Sequence, residues 1–236
     1  MNEFERYTIN NGLKVHLHHD KTTPMAVVNT LYDVGARDEH EDKTGFAHLF
    51  EHLMFGGSIH IEDFDQELQK AGGESNAFTS NDLTNYYEII PANNIETALW
   101  LESDRMLSLA FTDKSLEVQR SVVIEEFKQR YLNQPYGDVW LELRPLAYEK
   151  HPYQWATIGK DISHIEKAVM SDVKAFFKKF YCPSNAILCV SGNFDSGTVK
   201  QLIEKYYGTI PGLSLIHISE PTRRYAISYA VFCLKK

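Results

Sequence analysis

The chain has 236 residues, 43% of them hydrophobic and 24% charged, with 24 Lys and Arg against 32 Asp and Glu for a formal net charge of −8. That length suffices for one domain with a full core, and the acidic balance gives no electrostatic footprint for nucleic acid or an anionic membrane, so basic substrates fit better. The three cysteines, Cys182, Cys189 and Cys233, show no CxxC or other metal spacing and support no disulfide argument.

In chain order, Tyr7 to Ile9 and Lys14 to His18 alternate around Asn10-Asn11-Gly12, which predicts a hairpin, and Met25 to Asp33 predict a third strand. From Thr44 to Phe55 the apolar positions Phe46, Leu49, Phe50 and Leu53 recur at helical spacing, with Thr44 as the expected N-cap and Gly56-Gly57 as the stop. A second helix is expected over Glu62 to Ala71, then two strands between Ser75 and Pro91 with their turn at Asn81-Asp82. Helices are predicted over 94–109, 113–131 and 136–148, with Pro135 marking a break and Pro145 an end. A helix over 171–180, a strand over 186–191 and a helix over 196–207 complete the order. The expected fold class is α+β, a two-layer domain with a mainly antiparallel sheet covered on one face by helices.

The run from Leu213 to Lys236 departs from this pattern. It resembles a translated sequencing adapter, so the expected division is a natural domain over 1–212 and a non-native tail over 213–236. Without the tail, 20 cationic side chains face 31 anionic ones, a net charge of −11. The N-terminus, MNEFERYTINNGLKV, has no apolar signal core, and nowhere do eighteen apolar residues run together. No membrane insertion is expected; the expected location is the cytoplasm, with the periplasm as the alternative.

The segment that carries chemistry is His48-Leu49-Phe50-Glu51-His52. On a helix the two imidazoles, four residues apart, project from one face a turn apart and can reach a single metal ion. Glu51 stands where a carboxylate can take a proton from water that the metal has acidified, as that water attacks a carbonyl. This H-x-x-E-H order is the inverted form of the zinc-peptidase motif. A helix carrying polar groups among Phe46, Leu49, Phe50 and Leu53 buries them, and buried polar groups need partners such as a metal. The other histidines of residues 1–212, His16, His18, His19, His40, His60, His151 and His164, have no such spacing and are expected to be surface or packed side chains.

Three segments together resemble the pitrilysin, insulin-degrading and mitochondrial processing peptidases: GFAHLFEHLMFGGS, GGESNAFTSNDLTNYY and RSVVIEEFKQR. The resemblance covers nearly all of Glu3 to Gly212 and implies the metallohydrolase fold of that family. It implies Zn²⁺ as cofactor, with His48, His52 and Glu126 as ligands and Glu51 as the catalytic base. Glu125 competes with Glu126 as third ligand, but helical periodicity puts Glu126 on a face with Gln119 and turns Glu125 about a hundred degrees away. The family often carries a glutamate at the position of Gln119, outside the metal and seven residues before the ligand; here glutamine adds no charge there. The resemblance further implies substrate contacts from Asn76, Ala77 and Phe78 on an edge strand that pairs with an extended peptide or unfolded protein. It also implies a second homologous domain or subunit. Tyr86 and Tyr87 are expected to pack, and the loop HPYQWATIG, with Tyr153, Trp155 and Gly159, carries no derivable role. Two other readings stand: a non-catalytic subunit, and a metal-dependent lyase that would complete its site with a cysteine.

Overall fold

The computed structural model describes residues 4–212. The expected tail over 213–236 lies outside the described residues. Six strands form one sheet: β1 (Phe4–Thr8), β2 (Lys14–His19), β3 (Met25–Tyr32), β4 (Glu74–Thr79), β5 (Thr84–Pro91) and β6 (Ala186–Gly192). Their order across the sheet is β1-β2-β6-β3-β5-β4. Only β2 and β6 run parallel; the other pairs are antiparallel. β6, the last of the described strands in sequence, thus inserts at the centre and holds the N-terminal hairpin to the rest.

Along β3 and β6 buried and half-buried residues alternate, the two-residue period of a sheet covered on one face. Among the described residues, eight α-helices accompany the sheet: α1 (Phe46–Leu53), α2 (Phe64–Lys70), α3 (Ile95–Leu107), α4 (Asp113–Phe127), α5 (Val139–Ala147), α6 (Ile162–Glu166), α7 (Met170–Phe180) and α8 (Ser196–Tyr207). The core lies between Val15, Leu17, Val28, Leu188 and Val190 of the sheet and Leu49, Phe50, Leu99, Val173 and Ile203 of the helices. Phe50 stacks on Phe176 at 5.0 Å and on Tyr181 at 5.1 Å between ring centroids, fixing α1 against α7 and the residue that follows it.

Several boundaries differ from the sequence reading. β1 starts at Phe4, earlier than the expected Tyr7, and ends at Thr8. α1 begins at Phe46, not Thr44, because Gly45 turns into the left-handed region at φ 89. A Cβ there would lie 2.6 Å from the Ile158 carbonyl oxygen, so glycine is required on both counts. Thr44 is therefore not the N-cap: its Oγ1 accepts the Lys160 N–H at 3.0 Å and its own N–H donates to His164 Nδ1 at 3.1 Å. Pro145 lies inside the last turn of α5 rather than at its end. The expected 113–131 helix passes after Phe127 into a π-helical turn, Lys128–Leu132. The short helix α6 had no counterpart among the expected elements.

Beneath the sheet lies a polar cluster that helical periodicity does not announce. Arg105 of α3 is buried, pairs with Glu88 of β5 at 3.0 Å and with Glu102, and has its guanidinium carbon 4.4 Å from the ring centroid of Phe64 and 4.7 Å from that of Tyr86. Burial, and then the Glu102 charge beside it, push the Glu88 carboxyl well above the ordinary carboxylate range.

Candidate metal centre and adjoining strand edge

Two helices and one strand assemble the site. α1 presents His48 and His52 one turn apart, ring centroids 4.8 Å from each other, while α4 packs across α1 and brings in Glu126. Glu126 Oε2 lies 3.5 Å from His48 Nε2 and 3.3 Å from His52 Nε2. One ligand atom from each of these residues lies within 4.8 Å of the other two, and among the described residues they are the only such group of His, Cys, Asp or Glu. Glu125 points away, 62% exposed and paired with Lys128, whereas the Glu126 side chain is 18% exposed. The helical face expected for Glu126 is the one it occupies.

The electrostatics suit a cation. Burial holds the His48 imidazole down at about 4, so it is neutral near pH 7 with a nitrogen lone pair to offer, while the hydrogen bond with His52 keeps Glu126 below the usual carboxylate range. His48 turns its Nε2 toward Glu126 Oε2, and its Nδ1 is buried with no hydrogen-bond partner among the described residues. Two imidazoles and a carboxylate are the three-ligand set that leaves a fourth zinc position for water or substrate. The residues present therefore fit a zinc ion.

Glu51, on the same helix, contributes to the site without joining the ligand group. Its Oε2 accepts the Thr79 hydroxyl at 2.5 Å, and burial raises the carboxyl's pKa against the lowering effect of that bond. Thr79 ends β4, one of the two edge strands of the sheet, so the carboxylate of α1 is tied to that strand edge. Along β4, Asn76 and Phe78 are exposed and Ala77 half-buried, with Phe78 50% exposed. The Ala77 N–H is taken at 2.8 Å by Asn76 Oδ1 and is not part of the ladder to β5. Gln119 sits two turns before Glu126 on α4, half-buried, and among the described residues makes no side-chain hydrogen bond to His48, His52 or Glu126.

Residues missed in the sequence complete the frame. Glu39 is buried near the N-terminus of α1: its Oε2 accepts the Gly45 N–H at 2.9 Å and its Oε1 the Ala47 N–H at 2.8 Å. These are two of the amides that a helix start leaves without partners. The loop over 151–159 is structural: Tyr153 donates its hydroxyl to Asp82 at 2.5 Å in the β4–β5 turn, and buried Trp155 donates Nε1–H to the Ala36 carbonyl at 2.8 Å. His60 is held by Asp104 at 2.5 Å, and His164 by Thr44. Cys182 and Cys189 are free thiols outside the ligand group, which removes the support for a cysteine-completed lyase site. Among the described residues, no helix is long and apolar enough to cross a membrane.

Comparisons with known proteins bear on the family and the fold. A model described as insulinase (peptidase family M16) matches residues 14–158, and one described as the peptidase M16 inactive domain matches residues 168–232. The zinc protease PqqE of Helicobacter pylori is 34% identical over 220 residues, covering 92% of this chain and 49% of the relative. The mitochondrial-processing peptidase subunit beta of Saccharomyces cerevisiae is 28% identical over 204 residues, covering 85% and 44%. A crystal structure of a protease from Helicobacter pylori superposes with a TM-score of 0.88 at 34% identity, covering 94% of this chain and 54% of that one. Pitrilysin shares the fold, with a TM-score of 0.77 at 20% identity over 89% of this chain and 23% of its own. The chain thus spans about half the length of curated relatives it matches. Since the first model alone covers more than half of the sequence, the chain belongs to the insulinase family of peptidases, family M16.

Proposed function

We propose that this chain is the metal-bearing half of a zinc-dependent endopeptidase that hydrolyses bonds in peptides or unfolded proteins, and that full activity needs a second homologous half. The observation that carries the reading is the convergence of His48, His52 and Glu126 beside Glu51 and an open strand edge. His48, His52 and Glu126 would hold the zinc, which when bound supplies Lewis-acid polarisation of the peptide carbonyl and acidification of water.

The other steps belong to the chain's own groups. Glu51 takes the proton of the attacking water on its Oε1, since Oε2 already accepts from Thr79. Partial burial makes the carboxyl a better proton acceptor than an ordinary glutamate, and it then returns the proton to the leaving amine nitrogen. β4 receives the substrate as an added antiparallel or parallel strand, so recognition runs through main-chain groups and tolerates many sequences. Asn76, Ala77 and Phe78 line that edge, and Phe78 offers the largest exposed apolar contact on it.

Metal analysis and peptide cleavage, measured together with a second homologous half present, test the assignment. Glu51→Gln is expected to keep one zinc per chain and lose cleavage; Glu126→Gln is expected to lose both. Normal cleavage by Glu51→Gln would remove the general-base role, and full zinc content in Glu126→Gln would remove the third ligand.

A further inference from the structure

Glu126 divides its two oxygens between different partners. Oε2 faces the histidines at 3.5 and 3.3 Å, whereas Oε1 lies 3.1 Å from Arg130 Nη2. Arg130 stands in the π-helical turn Lys128–Leu132, closed by the Asn133 N–H on the Lys128 carbonyl at 2.8 Å. The turn ends α4, and π turns are frequent at functional sites. Among the described residues, Arg130 is the cation paired with the ligand group, and no interaction other than this one holds its guanidinium.

A carboxylate with both oxygens free can swing about its last torsion and offer a metal one oxygen or two. A guanidinium 3.1 Å from Oε1 limits that freedom, because charge attraction favours the torsion that keeps this oxygen beside it. Arg130 and Glu126 stand at i,i+4, and this carboxylate also faces two imidazoles; the i,i+3 pair of Lys128 with the 62% exposed Glu125 next door faces none and provides the comparison of an ordinary surface pair.

Resting on the reading of Glu126 as a ligand, we propose that Arg130 is a positioning residue of the metal site, holding Glu126 Oε1 so that Oε2 alone is offered beside His48 and His52. Groups outside a metal that orient its ligands typically affect affinity tenfold to a hundredfold. The test uses the purified full chain with Arg130→Met, which keeps the aliphatic stem, Arg130→Lys, which keeps the charge without the fork, and Glu125→Gln, which breaks the neighbouring surface pair. Zinc affinity is measured by competition with a chromophoric chelator, and ligand geometry by the visible absorption of cobalt(II) bound in place of zinc. Arg130→Met is expected to weaken zinc about tenfold or more and to change the cobalt spectrum, Arg130→Lys to recover part of the affinity, and Glu125→Gln to match the parent. The metal-free melting temperature reports whether each variant folds. Parent-like zinc affinity and cobalt spectrum in a folded Arg130→Met would overturn the proposal and leave the peptidase reading intact. Failure of the parent to take up one metal, or equal affinity in Glu126→Gln, would overturn the reading beneath it.

Discussion

Thr79 and Glu51 are joined at 2.5 Å, hydroxyl to carboxylate oxygen, across the gap between one of the two edge strands and the helix that carries both histidines. The bond makes the strand that would receive a substrate and the carboxylate that would act on it parts of one rigid unit. Replacing Thr79 by Val keeps the branched shape and removes the donor. A hydrogen bond to a charged group contributes about 1.5–3 kcal/mol, and each 1.4 kcal/mol is a factor of ten in rate. Thr79→Val is therefore expected to lower kcat about tenfold or more while zinc content stays at the parent level. Unchanged kcat would show that Glu51 needs no such anchor.

The open edge of β4 makes a separate prediction. Ala77 directs its N–H away from β5, where Asn76 Oδ1 takes it at 2.8 Å, so this amide is available to a docked peptide once the Asn76 side chain turns aside. Proline at position 77 removes the donor from an edge strand, where proline is tolerated. Ala77→Pro should raise KM about tenfold, the equivalent of one lost hydrogen bond at about 1.4 kcal/mol, with zinc content and folding cooperativity preserved. Parent KM in this variant would argue against strand addition at β4.

How far the sequence carried the site depends on which interactions are local. His48, Glu51 and His52 lie within one helical turn and the next, so spacing alone placed them, and the hundred-degree step between Glu125 and Glu126 was enough to separate exposed from inward. Glu39 follows no such rule: it caps α1 across a loop, and its partners Gly45 and Ala47 become visible only once Gly45 turns left-handed. Thr44 was misread because a Thr before an apolar run ordinarily caps a helix, while here its hydroxyl serves the 158–164 segment. The polar run Glu102-Ser103-Asp104-Arg105 looks solvated, yet all four are buried: Arg105 pairs with Glu88 and Glu102, Asp104 accepts from Ser58 and pairs with His60, and Ser103 donates to the Trp100 carbonyl. The helix Ile162–Glu166 is too short for periodicity, although Asp161, which accepts the Ser163 N–H at 2.8 Å, was a capping signal available to be used.

Removal of Arg105 would leave Glu88 and Glu102 facing each other in the core with no cation. Breaking a buried pair from one side costs about 3–5 kcal/mol, because a charge is left without compensation. Arg105→Met is expected to lower the melting temperature sharply, and adding Glu88→Gln and Glu102→Gln to it should recover part of the loss. The readout is denaturant unfolding of the single and triple variants; a single variant as stable as the parent would show that the carboxyls are neutral and at ease without the arginine.

Glu39 ties stability to pH. Burial, the larger influence, pushes its carboxyl up to about 8, against the Ala47 and Gly45 amides that pull it down. A raised folded-state pKa means the native protein holds a proton that the unfolded chain has already released above about 4.5. Glu39's contribution is therefore fully present below that value and falls as pH rises towards 8, at up to ~1.4 kcal/mol per pH unit. Glu39→Gln cannot titrate, and it leaves one helix-start amide facing an –NH₂ group, a cost of about 1–3 kcal/mol at every pH. The unfolding free energy of the parent minus that of Glu39→Gln, measured from pH 5 to 9, should fall steadily, passing through zero, up to about pH 8 and then level off. A difference that instead grew with pH would mean that the two amides outweigh burial and that Glu39 caps the histidine-bearing helix as an anion throughout.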